Sequence, residues 1–63
     1  MQEYKITYNK LLRRYNNGIA YISENPNERE KWFPEIQKIM QDLDNLIKKY
    51  SIPDENILTG FEV

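Results

Sequence analysis

The chain reads as an all-α domain: an antiparallel two-helix hairpin with its second helix kinked near Pro34, a folded-back C-terminal tail, and pairing of two copies into a four-helix bundle. Three observations carry this expectation. Large apolar residues recur at steps of three and four along two long segments, a short polar segment closing on Pro26 separates them, and a further apolar cluster follows the next helix breaker, Pro53. At 63 residues the chain holds one domain, taken to span its full length.

Helix one is expected over residues 2–23, where Tyr4, Tyr8, Leu11, Leu12, Tyr15, Ile19 and Ile22 fall on one helical face. Gly18 lies on the same stripe and lets another backbone approach closely. The turn is placed at 23–25. Asn25 has the chemistry of an N-cap, Pro26 suits the first helical position, and Glu28 stands where a capping box places its acid.

Helix two is expected over 26–50. Pro34 is the obstacle, because inside a helix it removes the bond to the Glu30 carbonyl and pushes Phe33 from helical angles. The apolar phase nonetheless passes straight through it at Trp32, Ile36, Ile39, Leu43, Leu46 and Tyr50, which argues for one kinked helix over a short turn followed by a helix starting at Pro34. The tail, 51–63, carries Ile52, Ile57, Leu58 and Phe61, too apolar for free chain. A short helical turn at 54–58 ending near Gly60 is expected to fold it back on the hairpin.

In heptad terms the two stripes face each other with Tyr15 against Trp32, Leu11 against Ile36, Tyr8 against Ile39 and Tyr4 against Leu43. That register brings Arg14 beside Glu35 and Thr7 beside Asp42. A second apolar row, Leu12, Ile19, Phe33, Met40 and Ile47, widens each face beyond what one neighbouring helix covers, and these residues are the candidates for self-association. A monomer covered by its own tail is the structural alternative.

Composition narrows function. With no Cys and no His, the chain lacks the usual thiol, imidazole base and commonest metal ligand, so no enzyme activity, metal site or cofactor is expected. Asp42 and Asp44 point to different sides of a helix and read as solvated surface. The net charge of −1 exerts no overall pull toward nucleic acid. The first ten residues have no apolar leader core and no segment is long and apolar enough to span a bilayer, so the expected location is the cytoplasm, without a membrane partner. Phe, Tyr, Met, Ile, Asn and Lys heavily outnumber Gly, Ala, Arg and Pro, which points to an AT-rich genome, a low-GC bacterium or its phage.

Two surfaces remain for a partner. Lys10, Arg13, Arg14 and Asn17 make one basic face of helix one, and Tyr21 lies off the core stripe near Trp32 and Phe33 at the turn. The expected function is a protein-interaction or regulatory module, acting as a homodimer and presenting these five residues to a target protein. The alternative is a nucleic-acid-binding dimer that uses the basic face. Against it, Tyr4, Tyr8 and Tyr15 lie on the core stripe instead of interleaving with the cations, and the acidic tail, with Asp54, Glu55 and Glu62, offers an internal counter-charge.

Overall fold

The apolar stripe of helix one is realised as α1, Glu3–Glu24, and that of helix two as α2, Arg29–Tyr50; a single 3₁₀ turn, Pro26–Glu28, precedes α2, and a short helix, α3, Asp54–Thr59, lies in the tail. The computed structural model describes residues 3–62. The two long helices pack against each other as an antiparallel hairpin in a body of 39 × 19 × 18 Å. Its radius of gyration is 12.5 Å, longer than the roughly 10.6 Å of a compact chain of this length.

The turn is built differently from the expected capping box. Asn25 turns its side chain backward, and both its backbone N–H (2.9 Å) and its Nδ2 (3.0 Å) donate to the Tyr21 carbonyl at the end of α1. It makes no side-chain cap to the following turn. The same residue type that caps a helix start can also add a second bond to a carbonyl at a helix end, and here the end of α1 takes it. Pro26 holds the first position of the 3₁₀ turn as expected, and the Glu28 N–H closes that turn on the Asn25 carbonyl at 2.9 Å.

Helix α2 runs through Pro34 without a break. Because α2 starts at Arg29, the bond lost at the Glu30 carbonyl falls next to the first turn, where several amides lack partners in any helix. The apolar phase on both sides of the proline keeps the two parts on one face.

Register is the main correction. Tyr4 stacks on Tyr50, with centroids 4.2 Å apart and planes 5° from parallel. A Cβ placed on Gly18 would lie 3.0 Å from Ile36 Cγ1. The Tyr15 hydroxyl reaches Met40 Sδ at 3.9 Å. These pairs lie one heptad further along α2 than Tyr4–Leu43, Leu11–Ile36 and Tyr15–Trp32. Residues 26–28 remain in the connection as a 3₁₀ turn, which moves the point of reversal toward the C-terminus. A slide of one heptad keeps every stripe residue on its face, so the pattern is equally satisfied by both registers. Among the described residues neither an Arg14–Glu35 ion pair nor a Thr7–Asp42 hydrogen bond forms, although Arg14 and Glu35 line one cleft. Among the described residues the ion pair is Lys48–Asp44 at 3.0 Å, within α2 and exposed, a pair worth about 0.3–0.5 kcal/mol.

The buried apolar side chains are those of Tyr8, Ile22, Ile36, Leu43 and Ile52. Four occupy core positions of the two stripes, and the fifth comes from the tail. Trp32 and Tyr50, also on the stripe, remain 38% and 39% exposed at the ends of α2. The tail folds back as expected, with Ile52, Ile57 and Phe61 packed on the cluster around Tyr8 and Leu43. Pro53, expected to stop α2, instead stands just before α3; α2 stops earlier, at Ser51, whose left-handed backbone (φ 52°, ψ 51°) donates its N–H to the Ile47 carbonyl.

A left-handed residue with a side chain is held there at a cost that glycine avoids. Ser51→Gly is therefore expected to raise the unfolding free energy by about 0.5–1 kcal/mol, measured by urea denaturation. A decrease would show that the Ser51 side chain stabilises the cap.

Candidate interaction surfaces

Two antiparallel helices packed along one stripe leave two flanks, and the residues beside the stripe decide the character of each. On one flank Arg14, Asn17 and Tyr21 of α1 face Trp32, Glu35 and Ile39 of α2 across a cleft of about 420 Å³, with Gly18 and Ile36 as its floor. Three of the five residues expected to bind a partner thus converge. The Tyr21 ring meets Trp32 edge-on at 6.4 Å. Lys31 lies 5.5 Å from the Trp32 centroid, and Arg29 lies 5.8 Å from that of Phe33. Arg14 and Glu35 share the cleft without forming an ion pair.

Lys10 and Arg13 lie further round α1, in a shallow groove with Ile6, Asn9, Phe61 and Glu62. The basic face is therefore split between two surroundings. Of the three tail acids only Glu62 lines this groove, and it forms no ion pair among the described residues. The expected counter-charge is thus one carboxylate on the rim, without direct pairing.

The opposite flank carries the second apolar row, and the tail divides it. Leu12 and Ile47 are partly buried against the core cluster beside Ile57, so they are packed within their own chain and are not free for a partner. Ile19, Phe33 and Met40, beyond the reach of α3, stay 36%, 38% and 48% exposed. Leu58 is 81% exposed and borders the same groove as Met40, Tyr15 and Ile57. Sequence reasoning missed Leu58 as a surface residue; the signal was the Ile57-Leu58 dipeptide in a short helix, since adjacent residues there cannot both face the core.

The polar anchors of the tail also escaped the sequence. Tyr8 is buried, and its hydroxyl donates to the Ile57 carbonyl at 2.6 Å. Asn9 Nδ2 donates to the Phe61 carbonyl, and Asn9 Oδ1 accepts from the Phe61 N–H, both at 2.7 Å. Burial pushes the Tyr8 phenol above its usual pKa.

Among the described residues no helix is long and apolar enough to cross a membrane, and no three His, Cys, Asp or Glu side chains come together as a metal site would require. No protein-family model, curated protein or solved structure matches the chain.

The Tyr8 shift sets a pH dependence. With the folded pKa above the unfolded value of about 10, the native state holds the proton more tightly, so this contribution is complete below about pH 10 and is lost as pH rises through the folded value. Tyr8→Phe is expected to lower stability at pH 7 by about 1 kcal/mol, the net worth of one hydrogen bond, and to abolish its part of the alkaline loss. Denaturation from pH 7 to 12 checks this, and identical alkaline profiles would refute it.

Proposed function

We propose that the chain is a non-enzymatic protein-interaction module that works as a homodimer of helical hairpins and uses the cleft lined by Arg14, Asn17 and Tyr21 to receive a target protein. The observation that carries the reading is the exposed row of Ile19, Phe33 and Met40 beside Leu58 on the flank opposite the cleft. The chain exposes 5155 Å², against about 4,300 Å² for a compact protein of 7.7 kDa. The excess goes with the elongated 39 × 19 × 18 Å body, whose uncovered apolar flank is part of it.

A second hairpin on this flank completes a four-helix bundle with Ile19, Phe33, Met40 and Leu58 at its seam, the tails covering the rest of each apolar row. The polar flank then faces outward on both sides, so the dimer displays two copies of the cleft. Its composition fits a cytoplasmic accessory protein of a low-GC bacterium or phage. The basic face has less in its favour as a nucleic-acid surface, because its four residues divide between two surroundings and Glu62 shares one of them.

Sedimentation equilibrium tests the reading. The expected mass is twice 7.7 kDa over a wide concentration range, and Met40→Glu is expected to return it to the single-chain value with helix content unchanged. A wild-type chain that stays single at every concentration would overturn the dimer.

A further inference from the structure

The first turns of α1 carry a device that reads peptide main chain. Asn9 holds both the N–H and the C=O of Phe61 through its one side-chain amide, each at 2.7 Å, as a neighbouring strand would. Main-chain bonds of this kind are indifferent to side-chain identity, and two neighbouring features make the site selective. Gly60 has φ +79°, and a Cβ there would stand 2.6 Å from Asn9 Oδ1, so the residue before the pair of bonds has to be glycine. The Phe61 ring meets Tyr4 and Tyr8 edge-on at 5.9 and 5.8 Å, and the Lys5 ammonium lies 5.2 Å from its centroid.

The segment that fills this site is joined to α2 through Ser51, Ile52 and Pro53; Ser51 holds a left-handed backbone that an opened linker releases, and Ile52, buried in the Tyr8 cluster, has to travel with the tail and pack again in the receiving copy. The contacts just described all run between the tail and the first turns of α1, so the same set forms whether the tail comes from its own chain or from another. We propose that Tyr4, Lys5, Tyr8 and Asn9 form a recognition site for a Gly-Phe peptide segment, and that the segment it takes in trans is residues 54–62 of a second copy, supplied when the Ser51–Pro53 linker opens. Tyr8 also borders the groove that holds Met40 and Leu58, so the site and the flank are told apart by separate variants.

Two measurements test the proposal on full-length chains. A fluorescent peptide of residues 52–62 is titrated into the wild-type chain, where the tethered tail competes, and into Phe61→Ala, whose own tail has lost its ring. Anisotropy is expected to show at least tenfold tighter binding to Phe61→Ala, lost again with Asn9→Ala in the same chain or with Gly60→Ala in the peptide. Circular dichroism verifies that Phe61→Ala stays helical, and a Gly60→Ala chain replaces it if it does not. Equal binding by all of these, or none, overturns the recognition site.

The occupant is tested by mixing Arg13→Cys chains with Thr59→Cys chains, because Arg13 and Thr59 line one small pocket beside Phe61. Exchange predicts a disulfide-linked heterodimer in well over the twofold excess above either homodimer that random pairing gives, retained when both chains also carry Met40→Glu. Its absence overturns exchange between copies. Dissociation of the Met40→Glu chain in sedimentation bears only on the flank.

Discussion

Tyr8 is the residue at which the three parts of the chain meet. Its side chain is the most deeply buried among the described residues, packed with Leu43 of α2 and Ile52 of the tail, while its hydroxyl holds the Ile57 carbonyl. A phenylalanine would fill the same space and leave that carbonyl short of a partner; a polar residue would solve the second problem and lose the first. Much of the tail arrangement follows from this contact. With Ile57 held at Tyr8, α3 lies across Leu12 and Ile47, Gly60 is brought under Asn9, and Phe61 falls between Tyr4 and Tyr8. The tail is thus a third packing layer, which a hairpin with so wide an apolar face requires.

The boundary of that layer gives the molecule its sidedness. Six residues of α3 cover about half the length of the second apolar row, so Leu12 and Ile47 become interior while Ile19, Phe33 and Met40 do not. The opposite flank needs no cover, because Arg14, Asn17 and Glu35 are content in water. One flank of the hairpin is therefore apolar and unfinished, and the other is polar with an aromatic cleft at the turn.

How much of this was legible in the sequence follows the physics of each signal. The helices and their inward faces were legible because burial acts on every third or fourth residue, and Tyr8, Ile22, Ile36 and Leu43 were each on the predicted stripe. The fold-back of the tail was legible from apolar residues in a segment too short to bury them alone. The register was not, because a heptad repeat looks the same after a slide of seven. Asn25 was misread for a similar reason, since its amide serves either end of a helix. The Asn9–Phe61 contact left no sequence signal, joining residues far apart in the chain through main-chain groups that every residue possesses. Of the candidate surface, Arg14 and Asn17 share a cleft with Tyr21, which the sequence reading placed on a separate patch, while Lys10 and Arg13 lie in another groove.

The degeneracy of the heptad pattern has a consequence for how such a hairpin finds its native state. Both registers bury nearly the same stripe, so the contacts that separate them are few and local. Toward the turn it is the close fit of Gly18 against Ile36, and at the open end it is the stack of Tyr4 on Tyr50, beside which the tail meets Tyr8 and Asn9. Those contacts fasten a register that the long stripes leave open.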